Sequence, residues 1–128
     1  MVSGSDAYDT MPDLNAVRDA LRANLRERGL ETASAGLRGE LYVMGEGDLA
    51  RGLFEFKPSA QDAMETMYQG SWSAAMPPRF AVLPSNKVDS SAIEMLEQMH
   101  VIPLLFETGP EGITFRDLDR LLDENLKA

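Results

Sequence analysis

At Gly29 the spacing of apolar residues changes, and the change leaves few architectures open. Before it, Leu14, Val17, Leu21 and Leu25 recur at intervals of three and four, which lines one face of a helix. Thr10 and Asp13 stand three apart in the pattern of a capping box, Pro12 falls in the first turn, and Gly29 ends the run. After it the period shortens. Residues 30–35, 40–44 and 49–57 read as a meander of two or three strands, separated by Gly36, Gly39 and the turn Gly45-Glu46-Gly47-Asp48. Pro58 stops the last of these, and Ser59 with Asp62 opens a helix through Met64, Met67 and Tyr68 towards Trp72.

Pro77-Pro78 breaks the chain again. Residues 79–83 form a short strand of buried type, Ser91 with Glu94 caps a helix carrying Ile93, Leu96 and Met99, and residues 101–106 make a last strand. Pro103 pushes that strand towards an edge or a bulge, and Thr114 with Asp117 opens a final helix. The order α, two or three β, α, β, α, β, α, with no internal repeat, predicts a three-layer α/β/α domain around a central mixed sheet. Residues 1–10 read as a loose tail and 11–128 as a single domain.

At 128 residues with 44% apolar types, the chain can bury one core. Lys and Arg number 12 against 21 Asp and Glu, for a net charge of −9. That balance argues against a simple DNA-coating protein, so any polyanion must be met locally. There is no cysteine, which removes disulfides, thiolate metal sites and a Cys nucleophile together. No apolar run approaches the roughly 18 residues that span a bilayer, and the polar, acidic start does not resemble a signal peptide. The expectation is a soluble, cytoplasmic protein.

The sharpest chemical feature is Glu55-x-Lys57 at the end of an otherwise apolar strand. Alternation sets Phe54 and Phe56 on one face and Leu53, Glu55 and Lys57 on the other. A carboxylate beside an ammonium at a strand end can hold a divalent metal and, next to it, a cation that positions water or steadies a phosphoryl oxygen. Such a site needs a second acid. Glu40, sharing a face with Tyr42 and Met44, and Asp48, in the connecting turn, are the candidates. A hairpin pairing brings Glu40 near Leu53 and within reach of Glu55. The plainer reading of Glu-x-Lys is two solvated residues on the outer face of a strand.

From Glu27-Arg28-Gly29-Leu30, through Gly36-Leu37-Arg38-Gly39-Glu40-Leu41-Tyr42-Val43, to Leu53-Phe54-Glu55-Phe56-Lys57, the chain resembles the core of the PD-(D/E)xK nuclease superfamily. It is most similar to the small members of Holliday-junction-resolvase type. The likeness implies a restriction-endonuclease-like fold and Mg²⁺- or Mn²⁺-dependent hydrolysis of a DNA phosphodiester. Glu40 then takes the place of the first aspartate, Glu55 and Lys57 that of the (D/E)xK pair, and Glu27 that of a helical acid found in some members. Glu40 and Glu55 are the implied metal ligands, with Asp48 as the substitute for Glu40, and Lys57 is the implied catalytic cation. Gln61 or Gln69 stands where members often carry a glutamine. One departure is plain: Gly39-Glu40 replaces the usual Pro-Asp.

The remaining features have two readings each. Arg18, Arg22 and Arg26 repeat every four residues, as a row for successive phosphates or as stems lying along the edge of a buried face and pairing with acids such as Asp19. Arg38, close to Glu40, is a candidate substrate contact or a turn residue. His100, the only histidine, closes a helix, where the dipole favours it. With one His and no Cys, the usual zinc sites are excluded, and neither a Gly-x-Ser-x-Gly turn nor a phosphate loop occurs. Met64, Met67, Met95 and Met99 read as core filling or as a plastic binding face. Tyr68 and Trp72 cover the sheet or wall a cleft. Leu118, Leu121, Leu122 and Leu126 form a stripe for internal contact or for a dimer seam. The rival to a nuclease is a catalytically silent, acidic interaction module of the same fold, assembling through its Leu-rich last helix or its Met-rich helices as a homodimer or within a larger complex.

Overall fold

Asp13 starts the first helix by turning its carboxylate onto the backbone: Oδ1 accepts from the N–H groups of Asn15 at 3.0 Å and Ala16 at 3.3 Å. Those are donors that no helical carbonyl reaches. The computed structural model describes residues 13–35, 40–45, 47, 50–67 and 77–126. Thr10, Pro12 and the tail expected over residues 1–10 lie outside them. From its cap, helix α1 runs Leu14–Glu27 and buries Val17, Leu21 and Leu25. It stops at Gly29, whose φ of 78° is one that a side chain would strain.

Strands β1 (Glu31–Ala35), β2 (Glu40–Met44) and β3 (Ala50–Phe56) follow as a meander. Helix α2 spans Ala60–Thr66 and is capped as its sequence predicts, with Ser59 Oγ accepting from Asp62 N–H at 3.1 Å. Strand β4 (Arg79–Pro84) leads through a 3₁₀ turn at Ser85–Lys87 to helix α3 (Ser90–Gln98). Strands β5 (Val101–Gly109) and β6 (Gly112–Phe115) form a hairpin before helix α4 (Leu118–Asn125).

The six strands make one mixed sheet in the order β1-β2-β3-β4-β5-β6. The first three pair antiparallel, β3, β4 and β5 pair parallel, and β6 returns antiparallel to β5. Parallel neighbours need a crossover, which the segments containing α2 and α3 supply. After Arg79, strand β4 is apolar to its end, and both its faces are covered. Phe80 and Val82 join one cluster with Val17, Leu21 and Leu25 of α1 and Leu118 and Leu122 of α4. Ala81 and Leu83 join another with Ala60 and Ala63 of α2 and Leu96 of α3. Helices thus cover both faces of the sheet. The rings of Phe54 and Phe80 stack across adjacent strands with centroids 4.4 Å apart.

Three expectations need correction. The cap of α3 is Asp89, which accepts from Ala92 N–H at 2.8 Å, rather than Ser91. Thr114 does not cap the last helix, because it is a strand residue paired with Glu107. That helix begins instead from Asp117 at φ 58°, with no side-chain cap. Strand β5 runs on past Phe106, and the extra length pairs with β6, whose alternating Ile113 and Phe115 make too short a run to stand out in the sequence. Pro103 lies in the half of β5 that β6 does not reach, consistent with the expected edge.

The leucine stripe of α4 is consumed inside the chain: Leu118, Leu122 and Leu126 are buried in the first cluster, with Leu121 partly buried against it. A dimer seam on that stripe would have to unpack the core. Leu126 lies so close to β3 that a Cβ at position 52 would come within 2.8 Å of its Cδ2, so any larger residue there must move the Leu126 side chain. Among the described residues no helix is long and apolar enough to cross a membrane.

Candidate functional site

The pairs Leu41↔Phe54 and Tyr42↔Leu53 set the antiparallel register of β2 and β3. One step further along the ladder, Glu40 falls opposite Glu55, not opposite Leu53. Directly opposed residues in an antiparallel pair project from the same face, with Cβ atoms about 5 Å apart. The register irregularity between Val43 and Met44 lies at the other end of the ladder and leaves this pairing intact.

Glu55 is held by two cations. Lys57 Nζ lies 3.6 Å from its Oε1, and Arg79 Nη2 lies 3.4 Å from its Oε2. Lys57 continues the line of β3, its N–H donating to Val82 O at 3.1 Å, so its side chain emerges on the face that carries Glu55. It is 6% exposed and is the one buried charged residue among those described. A buried ammonium needs a partner charge, and Glu55 provides it.

Arg79 was not singled out from the sequence. It opens β4 immediately after Pro77-Pro78, beside Leu53 in the parallel register, and so shares a face with Glu55. Ala81, the direct neighbour of Glu55, has only a methyl group, which lets the guanidinium reach across. The available signal was an arginine heading an apolar strand, but its relevance depended on β4 lying next to β3.

Glu40 is treated differently by its surroundings. Its Oε1 is buried and has no hydrogen-bond partner among the described residues. An orphaned carboxylate oxygen across from a second carboxylate is a donor set suited to a hard divalent cation such as Mg²⁺. Among the described residues no three His, Cys, Asp or Glu side chains gather at one point. The protein's share would then be two carboxylates, and Mg²⁺ is commonly held by one or two, with water and substrate oxygens completing its shell.

Other expected residues stand apart from this centre. Gln61 is exposed in the first turn of α2, and its Nε2 donates to Glu65 Oε2 at 3.2 Å along its own helix. It lines a groove between α2 and α3 with Met64, Lys87 and Met95. Glu27 ends α1, the helix that packs on the Leu41 face of the sheet, opposite the face that carries Glu40 and Glu55. It therefore does not join the two glutamates. Arg38, Asp48, Gln69, Tyr68 and Trp72 lie outside the described residues.

Arg18 pairs with Asp19 at 3.6 Å, in line with the snorkelling reading of the arginine row, and Arg22 donates to Ser34. His100 closes α3 at φ 63°, its N–H donating to Glu97 O at 3.0 Å. Met67 is buried and Met64 and Met99 are partly buried, whereas Met95 is 53% exposed and is not core filling. No protein-family model, curated protein or solved structure matches the chain.

Proposed function

We propose that the chain is a Mg²⁺-dependent DNA endonuclease of PD-(D/E)xK type with a restriction-endonuclease-like fold. The observation that carries this reading is Glu40 facing Glu55 across one ladder, with Lys57 beside Glu55 on the same face. The α, β, β, β, α, β order, with β4 parallel to β3, supports it.

Glu40 and Glu55 would hold the cation. Bound there, Mg²⁺ or Mn²⁺ supplies a Lewis acid for a phosphate oxygen and lowers the pKa of an attacking water. Lys57 contributes a fixed positive charge from a largely water-excluded position, where it orients the water or offsets charge developing on the phosphoryl group. Its stem is buried, so the ammonium has little freedom to wander, and that preorganisation favours the transition state over the ground state. Gln61, exposed on α2, would contact the nucleic acid outside the reacting centre, and Arg38 and Gln69 remain the further candidates for substrate contact.

The test is cleavage of supercoiled plasmid and of a labelled branched DNA with Mg²⁺ or Mn²⁺, beside EDTA, Glu55→Ala and Lys57→Ala. Metal-dependent cutting that disappears in both folded variants is the expected result. Cutting that persists unchanged in both would overturn the assignment. Absence of any cutting by a folded wild type would favour the silent interaction module.

A further inference from the structure

We propose that Arg79 is a phosphate-binding residue of this site, parked on Glu55 until a divalent cation takes that carboxylate, so that the cation gates DNA binding. The inference rests on the nuclease reading and extends it to how an acidic protein acquires its substrate.

The two contacts to Glu55, at 3.4 Å from Arg79 and 3.6 Å from Lys57, are longer than the roughly 2.8 Å of a tight charge-assisted hydrogen bond. The two side chains are similarly buried, 8% exposed for Lys57 and 13% for Arg79, but Arg79 sits at the head of β4 and carries the planar fork that an ammonium lacks. A carboxylate oxygen that ligates a metal is a weakened acceptor for a guanidinium, so cation binding and the Arg79–Glu55 pair compete.

Charge gives the competition a consequence. Glu40 and Glu55 balance Lys57 and Arg79, so without metal the centre is neutral on a chain of net charge −9 and offers a polyanion little attraction. With a divalent cation shared by the glutamates, the centre carries a double positive charge. Arg79, displaced from Oε2, presents a planar, permanently charged fork that matches two oxygens of one phosphate. Because the couplings are reciprocal, removing Arg79 should strengthen cation binding in the absence of DNA and weaken DNA binding in its presence.

The experiment measures Mn²⁺ affinity by calorimetry without DNA, and duplex affinity by fluorescence anisotropy in Ca²⁺ and in EDTA, for wild type, Arg79→Ala, Arg79→Gln and Arg79→Lys. Circular dichroism certifies each fold, and the conservative variants carry the test if Arg79→Ala does not fold. The expected result for Arg79→Ala is about fivefold tighter Mn²⁺ binding and about tenfold weaker DNA binding in Ca²⁺, with no difference in EDTA and partial rescue by Arg79→Lys. In steady-state cleavage KM should rise with kcat nearly unchanged. Wild type that binds Mn²⁺ while its folded variants match it in both affinities would overturn the role of Arg79 alone. Wild type that takes up no Mn²⁺ would overturn the nuclease reading and this inference with it.

Discussion

Glu40 and Glu55 oppose each other across the β2–β3 ladder, yet their surroundings are unequal: Glu55 has a cation on each oxygen, and Glu40 Oε1 is buried with no hydrogen-bond partner among the described residues. Two like charges directly opposed on a sheet repel, and the imbalance places the strain on Glu40.

Glu40→Gln should therefore stabilise the metal-free protein. Relief of the repulsion is expected to contribute about 1 kcal/mol, raising Tm in EDTA by about 3 °C. The same variant should lose any rise in Tm on adding Mn²⁺, because one of two ligands is gone. Thermal unfolding with EDTA and with Mn²⁺ checks both; a lower Tm in EDTA contradicts the repulsion argument.

Lys57 separates stability from chemistry. Lys57→Ala removes a buried stem and one partner of Glu55 and should destabilise by about 2 kcal/mol, less than a fully stranded charge because Arg79 remains. Lys57→Met keeps most of the volume and should cost about 1 kcal/mol. Both should abolish cleavage. Urea unfolding beside the plasmid assay measures the two effects, and cutting by Lys57→Met at the wild-type rate would remove Lys57 from the mechanism.

Gly52 and Leu126 form a size-complementary pair. Gly52→Ala places a methyl 2.8 Å from Leu126 Cδ2, within the core cluster, and should destabilise by about 2 kcal/mol. Leu126→Ala alone leaves a cavity and should also destabilise. The double variant should be more stable than the sum of the two predicts, a coupling that a double-mutant cycle reads directly. Strict additivity would show that the two sites do not meet in solution.

Arg28 ties the end of α1 to α4 by donating from Nε to Asp119 Oδ1 at 2.6 Å. That hydrogen bond, with the guanidinium charge, holds the Asp119 carboxyl below its ordinary value of 3.8. Since the folded value is depressed, the contribution to stability is complete above the ordinary value and is lost as pH falls through the lowered one. The pair is exposed, so the effect should be small and should fade with salt. NMR titration should show Asp119 ionising below pH 3.8 in wild type and returning towards it in Arg28→Ala. A titration unchanged by that substitution would sever the link.

Local rules carried the reading furthest where a residue acts on its own neighbours in sequence. The stripe Leu14, Val17, Leu21, Leu25 defines α1, Ser59 caps α2 on Asp62, and Pro58 ends β3, because each depends on atoms within one turn or one strand. The same rules misled at Thr114, whose spacing to Asp117 imitates a cap although its backbone is committed to Glu107 in a hairpin. Strand β6 is hidden for a related reason: its alternation is only Ile113 and Phe115, and the partner that makes it a strand is β5.

The shared face of Glu55 and Lys57 is legible without a fold: they stand two apart along an extended segment, and pleating alone places them together. Their company depends on how the strands dock. Whether Glu40 meets Leu53 or Glu55 is a matter of register between strands, and Arg79 reaches Glu55 because β4 docks parallel to β3 with alanine at the intervening position. The fate of the α4 leucines was likewise open until the fold buried them. The physical reason is common to all three: intrastrand geometry is set by covalent dihedrals, whereas register, strand order and burial are set by contacts between residues far apart in the chain.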